Sequence, residues 1–424
     1  MAATVNVLAK IGIVLAVLIL LENVDALRTV QTFFDPGCPK TDCGGVVAYV
    51  KARGDSNTLH YVVTPIGPPT VLVIMTENTN DAGVKIDWEK FMSDNMTVRE
   101  ESITLDNGLK VLYTYGVVFT RLFQYNDTSD TSNLNSYNIN NTAWNVYDFT
   151  NSTFVWENIE TVSSDYSIIL SVQSSKDING QTINNGSLQF KFNFFDHTDR
   201  ATDLPHLQYT EDICQFDFTM MNINTGNMSL SRFALETVLF STDSTTGSMK
   251  VGETKSIDDE YTPGVFKIYN WETTPENQEK GGFLQHKPVC YTDSSRTRDV
   301  ATYVRRYSLS IAKDVKEVEH LLGQSAVLAY FGSTGMSALR MTTTNFSFGL
   351  GEDGTFTKTN YSVWTASLGY GVPPNDAVST MVIGVISAGL GIPVVLISFG
   401  GIFICMKKRK ENVIIDAATQ RMIN

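Results

Sequence analysis

Apolar and polar residues alternate along several short segments of the chain, with the two-residue period of a half-buried β-strand. In residues 188–194 every second residue is Leu or Phe, and the residues between them are polar. Residues 214–220 show the same alternation, which places Cys214 on the apolar face. Phe-Ser-Phe at 346–348 repeats it, and this pattern directs the preceding Asn345 outward, where a glycan could be attached.

Further segments rich in β-branched and aromatic residues extend this pattern over most of the chain. The additional predicted strands cover residues 59–63, 70–75, 111–122, 167–172 and 233–240. Turn-forming sequences separate them, such as Pro-Ile-Gly-Pro-Pro at 65–69. Many short strands at this spacing predict an all-β region of the β-sandwich type. We expect two packed sandwiches, 27–204 and 205–377, with a boundary near residues 198–205.

Few segments of this region show the periodicity of an amphipathic helix. Residues 313–322 carry apolar side chains on one helical face and predict a packing helix. No repeat of fixed period is evident along the chain.

The first apolar segment of the chain has the features of a signal peptide. Lys10 precedes an apolar run at 11–21, and Val24 and Ala26 stand at the positions that a cleavage after residue 26 requires. The alternative is an uncleaved anchor, but this run is shorter than the roughly 20 residues that span a bilayer. We therefore predict a signal peptide over residues 1–26.

The second apolar segment is long enough to cross a membrane. Residues 377–406 contain no charged side chain, and Lys-Lys-Arg-Lys follows at 407–410. Because positive charge stays on the cytosolic side, the pattern predicts a transmembrane helix at 378–406, a cytosolic tail at 407–424 and type I topology. The region 27–377 would then be luminal. A buried core helix is the alternative, which this length and the basic flank disfavour.

Small residues recur within this predicted span. Gly384 and Ala388 form one small-xxx-small pair, and Ser387 and Gly391 form another. Such spacing lets a second helix approach closely. The alternative is that glycine is common in membrane helices generally.

The net charge of the chain limits the kinds of partner that the protein is expected to bind. The chain carries a formal net charge of −13, although its predicted tail is basic, so the luminal part is strongly acidic. This argues against nucleic acid or anionic lipid as the main partner. Ordinary solubility and residence in an acidic compartment both account for the charge.

Cysteine usage agrees with an oxidising lumen. Cys38, Cys43, Cys214 and Cys290 fall in the predicted luminal region, and three pairings of them are open. We favour a local Cys38–Cys43 bridge and a long-range Cys214–Cys290 bridge. Zinc binding is the alternative, but no histidine lies near the C-x4-C spacing. Cys405, at the end of the span, is either a palmitoylation site or a plain thiol.

Asn-x-Ser/Thr triplets, the acceptors of N-linked glycans, occur throughout the predicted luminal region. A chain this rich in Asn, Ser and Thr would contain roughly five of them by chance, so their number alone is weak evidence. A signal peptide and an anchor would expose most of them to the glycosylation machinery. Two fall in or beside a polar segment at 127–145, which we expect to be an exposed, glycan-covered loop. The candidate asparagines are Asn95, Asn126, Asn140, Asn151, Asn185, Asn227, Asn345 and Asn360.

A search for catalytic motifs finds none. H-E-x-x-H, G-x-S-x-G, the aspartic-protease triplets and the P-loop and dinucleotide-binding glycine patterns are all missing. Asp258, Asp259 and Glu260 form the densest acidic cluster, but neighbouring residues on an extended chain point to opposite faces, unlike a glycosidase pair. A solvated turn or a cation site explains that cluster better. We predict no catalytic residue, metal or cofactor, and a structural role for His60 within a strand. The other histidines are His197, His206, His286 and His320.

Several stretches of the chain, in the same order, resemble the glycosylated lysosomal membrane protein family. The resemblance runs from about residue 57 to the membrane span, and the longest stretch is the most specific. Two features depart from the family: the tail contains no tyrosine for a sorting signal, and residues 35–44 have no clear counterpart. The matching stretches are NTLHYV at 57–62, VFTRL at 118–122, NGSL at 185–188, SIDDEYTPGVF at 256–266, FGS at 331–333 and GYGVPP at 369–374.

The resemblance implies a function that the residues alone do not. Members of the family are type I lysosomal membrane proteins and accessory subunits of a dipeptide transporter of the major facilitator superfamily. Their glycosylated luminal domain shields the transporter from lysosomal proteases. The resemblance thus implies a non-catalytic accessory subunit in the lysosomal membrane. Whether it also forms a homodimer is left open.

Two other functions compete with this expectation. One is a lysosomal hydrolase with an unrecognised luminal site, for which residues 258–260 would be the first to test. The other is a cell-surface adhesion or receptor ectodomain, which surface labelling of intact cells would distinguish from a lysosomal protein.

Overall fold

The fold is described from a computed structural model of the chain. It describes residues 28–39, 43–78, 83–106, 108–134, 144–150, 156, 159–164, 167–174, 186–243, 249–255, 261–273, 281–307, 320–375 and 380–423.

Most of these residues are in β-strands. The strands are β1 (Thr29–Phe34), β2 (Ala48–Arg53), β3 (Asn57–Thr64), β4 (Thr70–Glu77), β5 (Val84–Ile86), β6 (Ile103–Leu105), β7 (Val111–Asn126), β8 (Trp144–Asp148), β9 (Glu160–Ser164), β10 (Ser167–Ser174), β11 (Ser187–Phe195), β12 (Asp199–Arg200), β13 (Gln208–Tyr209), β14 (Ile213–Met221), β15 (Ser231–Ser241), β16 (Lys250–Lys255), β17 (Lys267–Glu272), β18 (Gly281–His286), β19 (Val289–Tyr291), β20 (Ala301–Tyr307), β21 (Arg340–Phe348) and β22 (Tyr361–Gly371). The helices are α1 (Trp88–Phe91), α2 (Met96–Arg99), α3 (Ala326–Met336), α4 (Thr355–Thr359) and α5 (Thr380–Ile423).

Two antiparallel sheets form the body of residues 28–375. In the first sheet the strand order is β1–β2–β3–β4–β7–β15–β21–β20, and β8 pairs with the second half of β7. In the second sheet the order is β9–β10–β11–β14–β22–β18–β17–β16. Strand β19 lies beside β22 and also pairs with β20, so it links the two sheets.

The sheets face each other across an aromatic core. The rings of Phe119 in the first sheet and Phe190 in the second lie 4.3 Å apart, and those of Tyr61 and Phe194 lie 5.0 Å apart. All four side chains are almost fully buried. Burial of large rings is among the strongest contributions to folding free energy. Much of the stability of the sandwich therefore comes from this aromatic layer.

The first sheet is covered on its outer face as well. In β4, Val71 and Val73 face the second sheet, whereas Leu72 and Ile74 pack against α1, α3 and the β5–β6 hairpin. A strand buried on both faces needs a continuous apolar run, and Val-Leu-Val-Ile-Met in β4 is such a run. The body of residues 28–375 therefore has three layers: helices and hairpin, first sheet, second sheet.

The strands predicted from alternation and apolar runs are confirmed. The second sheet shows the clearest alternation: in β11 the Leu and Phe side chains are buried, while Gln189, Lys191 and Asn193 between them are partly exposed. The all-β sandwich class is likewise confirmed. The strands form one sandwich rather than two, because β7 pairs with β15 and β11 pairs with β14 across the expected boundary. Residues on both sides of 204–205 belong to one compact unit.

Helical structure departs from the expectation at one place. Helix α3 was not predicted, because its sequence is apolar on most sides and is interrupted by Gly332, which has a φ of 64°. The predicted helix at 313–322 lies mostly outside the described residues. Its end, 320–322, is helical, and Leu321 and Leu322 are buried.

Helix α5 is a separate unit. It contains one stretch, Ile383–Lys410, that is long and apolar enough to cross a membrane, among the residues that could be assessed. Pro393 lies inside it, and the small residues of the predicted packing pairs fall within the same stretch. The predicted signal peptide, residues 1–26, lies outside the described residues.

Candidate functional site

Histidines and carboxylates in the described parts of the chain do not assemble a metal centre. In those parts no three His, Cys, Asp or Glu side chains come close enough together to hold a metal ion. The acidic cluster at 258–260 lies outside the described residues. The described histidines each have a local structural setting, of which His60 and His286 are the most buried.

His60 is part of a buried hydrogen-bonded chain. Its Nδ1 lies 2.7 Å from the hydroxyl of Tyr49, and its Nε2 lies 3.0 Å from Oγ1 of Thr76. Burial and the charge of Lys51 lower the pKa of His60 to about 4. The neighbouring strands β2, β3 and β4 supply these groups, so His60 ties adjacent strands together, in agreement with the structural role predicted for it.

His286 is buried beside the aromatic core. Its ring lies 5.1 Å from that of Phe346 and 5.5 Å from that of Trp364, and its Nδ1 contacts the carbonyl oxygen of Lys287 at 3.1 Å. Burial lowers the pKa of His286 to about 4. Neither His60 nor His286 is accessible to a substrate.

One of the two predicted disulfides is present. Cys38 and Cys43 are bonded, with their Cα atoms 6.2 Å apart. The bridge closes a loop that the carboxylate of Asp35 organises, since this group accepts hydrogen bonds from the backbone N–H of Gly45, Val46 and Val47. The local Cys38–Cys43 bridge is therefore confirmed.

The predicted Cys214–Cys290 bridge is wrong. Both residues are buried free thiols that flank β22, one on each side. Cys214 lies opposite Leu368 and Cys290 lies opposite Trp364. Four residues along a strand correspond to about 13 Å. A disulfide requires Cα atoms within about 7 Å, so these cysteines cannot bond without breaking the sheet.

Burial also makes these two thiols poor nucleophiles. It raises the pKa of the Cys214 thiol and raises that of Cys290 to about 12. A thiol in this state carries almost no thiolate in neutral or acidic solution. Neither cysteine is suited to nucleophilic catalysis.

Three of the candidate glycosylation residues lie at the surface. Asn95, Asn227 and Asn360 are exposed. Asn95 caps helix α2, and its Oδ1 accepts a hydrogen bond from the N–H of Thr97 at 3.0 Å. A glycan attached to the other side-chain atom, Nδ2, would leave this cap intact. Asn360 ends helix α4 with a left-handed backbone.

Two further candidates are less accessible. Asn126 is partly buried, and its Oδ1 accepts from the N–H of Leu230 at 3.0 Å. Asn345 is completely buried, so the prediction that it faces outward is wrong. The predicted alternation itself is correct: Phe346 faces the core between the sheets, and the neighbouring Asn345 points to the opposite face of the same sheet. The other face of the sheet is not solvated here, since Leu134 and Tyr307 cover it. Asn140, Asn151 and Asn185 lie outside the described residues.

A buried cluster of charges surrounds Arg232 at the start of β15. Its Nε donates to Asp127 at 2.7 Å, and its Nη2 donates to Asp353 at 2.8 Å, to the backbone oxygen of Leu350 at 2.7 Å and to Asp130. Arg232 and Asp127 are almost completely buried. Despite burial, the carboxylates raise the pKa of Arg232. The cluster ties two loops to the start of β15.

This cluster forms one wall of a cavity of about 440 Å³. Its other walls combine aromatic rings, among them Phe348 and Phe356, with hydroxyl groups and the thiol of Cys290. Asp299 and Lys358 stand at its exposed edge.

The alternation of residues did not reveal this cluster, although one signal could have. Arg232 and Glu236 lie in β15, where every residue is buried. An ionisable side chain in a strand buried on both faces must have a charged or hydrogen-bonded partner. That signal predicts a partner without identifying it, because Asp127 and Asp353 come from distant parts of the chain.

Comparison with known proteins gives one consistent result. A family profile described as "Glycosylated lysosomal membrane protein" matches residues 46–411. The chain is 29% identical over 390 residues to Glycosylated lysosomal membrane protein B of Xenopus laevis, covering 91% of this chain and 92% of that protein. The Danio rerio protein is 30% identical over 390 residues, with 90% of each covered. The Homo sapiens protein is 29% identical over 379 residues, with 85% and 84% covered.

Proposed function

Because the chain belongs to the glycosylated lysosomal membrane protein family, we propose that it is a non-catalytic accessory subunit of a lysosomal dipeptide transporter of the major facilitator superfamily. In this role it shields the transporter from lysosomal proteases and supports its lysosomal localisation. It is anchored by α5 as a type I protein, with residues 27–377 in the lumen and 407–424 in the cytosol.

One observation carries the proposal: accessible glycan acceptors and a compact body are combined with one membrane-length helix in the described part of the chain. Asn95, Asn227 and Asn360 are exposed in a turn or at helix ends of a single three-layer unit. Such a body resists proteolysis because few of its backbone segments can open locally. Glycans add bulk that keeps a protease from nearby chains.

The chemistry of the described interior agrees with a non-catalytic role. The histidines His60 and His286 and the free thiols Cys214 and Cys290 are almost completely buried. Their pKa values are shifted toward the neutral forms. Accessible groups with tuned pKa values are what an active site would need instead.

Deletion of the gene tests the proposal directly. We expect the transporter to disappear from lysosomes and to return when lysosomal proteases are inhibited. An unchanged level and half-life of the transporter would contradict the proposal. In that case the protein should be screened as a hydrolase, with residues 258–260 mutated first, or as a cell-surface receptor by surface labelling.

Expression of variants in the knockout cells distinguishes the contribution of the glycans from that of the folded protein. A variant with Asn95, Asn227 and Asn360 all changed to Gln should restore the transporter less well than the wild type. Asn375→Gln, at an exposed asparagine outside any glycosylation triplet, is the matched control and should rescue fully. Equal rescue by both variants would show that glycans at these three positions are not the shield.

A further inference from the structure

The cavity beside Arg232 has the size and position of a small-molecule site. It lies at one end of the sandwich, where β15, β20 and β22 begin and β21 ends. Its volume of about 440 Å³ falls within the range of roughly 300 to 1,000 Å³ that is typical of ligand pockets. The accessory role proposed above makes no use of this cavity.

An unsatisfied donor lies in its wall. Nη1 of Arg232 has no hydrogen-bond partner among the described residues, although the side chain is only 1% exposed. It lies against Gly349, another cavity residue: a Cβ at that position would be 2.2 Å from Nη1. Leaving a charged donor without an acceptor costs roughly 1 to 3 kcal/mol or more, so a missing acceptor is expected at this point.

The charges around Arg232 select the kind of acceptor. Its guanidinium already binds the carboxylates of Asp127, Asp130 and Asp353. The edge of the cavity carries one more carboxylate, Asp299, and one ammonium, Lys358, so four carboxylates surround two cations. One more negative charge would be repelled by this excess of carboxylates. A neutral oxygen, as in an amide, ester or alcohol, satisfies Nη1 without that repulsion.

The remaining walls favour an apolar body for the ligand. Met220, Phe233, Phe348 and Phe356 provide apolar and aromatic surface in the same cavity. Ligand sites commonly combine such a lining with a few polar groups that fix orientation. An aromatic or branched aliphatic group would pack against these rings.

We propose that this cavity binds a small neutral molecule that has an apolar body and a carbonyl or hydroxyl oxygen accepting a hydrogen bond from Arg232. The apolar body lies between the phenyl rings, and the oxygen faces Nη1 near Gly349.

Three probes of similar size test the chemistry: benzamide, benzoate and toluene. Binding to the full-length protein in detergent is measured by saturation-transfer NMR titration. Benzamide should bind, and benzoate and toluene should bind at least tenfold more weakly, because the carboxylates repel benzoate and toluene has no acceptor for Nη1. Undetectable benzamide binding, or binding of benzoate or toluene as tight as that of benzamide, would overturn the proposal.

A matched pair of variants tests the location. Ala301 is exposed and lines the cavity, so Ala301→Trp should fill its entrance and weaken benzamide binding at least tenfold. Ala338 is exposed and does not line the cavity, so Ala338→Trp should leave binding unchanged. Because both variants add the same ring, their comparison removes effects of folding and of the detergent. Equal binding by both would place benzamide elsewhere and overturn the proposal.

Discussion

At the scale of single residues, the same sequence signal has different meanings in different surroundings. Asn345 and Asn360 both begin an Asn-x-Ser triplet, yet the first is buried within the first sheet and the second is exposed at the end of α4. Similarly, Cys38 and Cys214 are both cysteines of the same region, and only the first has a partner within bonding distance. The environment, more than the residue type, determines the chemistry available at each position.

This contrast predicts which asparagines carry glycans. Asn360→Gln should increase the mobility of the protein expressed in cells on a denaturing gel, by the amount that the loss of one glycan causes. Asn345→Gln should leave the mobility unchanged, because a glycan cannot be accommodated in the covered face of β21. Treatment with an N-glycosidase should abolish the difference between Asn360→Gln and the wild type. A mobility shift for Asn345→Gln would contradict the described burial.

Buried histidines predict how stability depends on pH. The pKa of His60 is about 4 in the folded protein and about 6.5 when unfolded, so the unfolded state binds the proton first as pH falls. The free energy of unfolding should therefore decrease between pH 6.5 and 4, by at most about 1.4 kcal/mol per pH unit for this one group. Its contribution is fully present above pH 6.5.

The histidine contribution can be measured by chemical unfolding at pH 7 and pH 5. His60→Gln keeps a hydrogen-bonding side chain but cannot titrate, so the loss of stability between these pH values should shrink by about 2 kcal/mol. His320→Gln, at an exposed histidine, serves as the control. The same decrease with pH in His60→Gln and the wild type would show that His60 titrates normally.

At the scale of elements, a close backbone contact joins the turn between β3 and β4 to the N-terminal end of helix α3. Gly67, in the turn between β3 and β4, has a φ of 69°, and a Cβ there would lie 2.3 Å from the carbonyl oxygen of Gln324. Gln324 precedes helix α3, whose N-terminus is capped by Ser325. The turn thus fixes where α3 rests on the first sheet.

Substitution of Gly67 measures this contact. Gly67→Ala should lower the free energy of unfolding by roughly 3 kcal/mol, because it combines an unfavourable backbone conformation with a backbone clash. Gly108→Ala is the matched control: its φ is 93°, but no atom lies within 4 Å of the added Cβ. It should lose only about 1 kcal/mol. Equal losses in thermal or urea unfolding would mean that the contact with Gln324 contributes nothing.

At the scale of the whole molecule, the two halves of residues 28–375 share both sheets. The first sheet takes β1–β4, β7 and β8 from the first half of the chain and β15, β20 and β21 from the second. Many of these pairings are between strands distant in sequence. Such topology requires most of the chain before either sheet is complete.

This arrangement predicts one cooperative unfolding transition. Residues 27–377 should unfold with coincident fluorescence and circular dichroism changes. Fragments 27–204 and 205–377, expressed separately, should each remain unfolded, because β7 and β11 would lose the partners that cover them. A fragment with dispersed amide signals in its NMR spectrum would instead support two independent subdomains.

The sequence by itself determined the local elements, because alternation and apolar runs report which faces of a strand are buried. It thereby specified eight of the strands, the all-β class and the apolar helix α5, and its ordered motifs indicated the family. The tertiary structure decided what depends on contacts between distant residues. It joined two expected sandwiches into one, buried Asn345, separated Cys214 from Cys290 and assembled the carboxylates around Arg232. A local pattern shows that one face of a strand is covered, whereas only the tertiary structure shows which residues cover it.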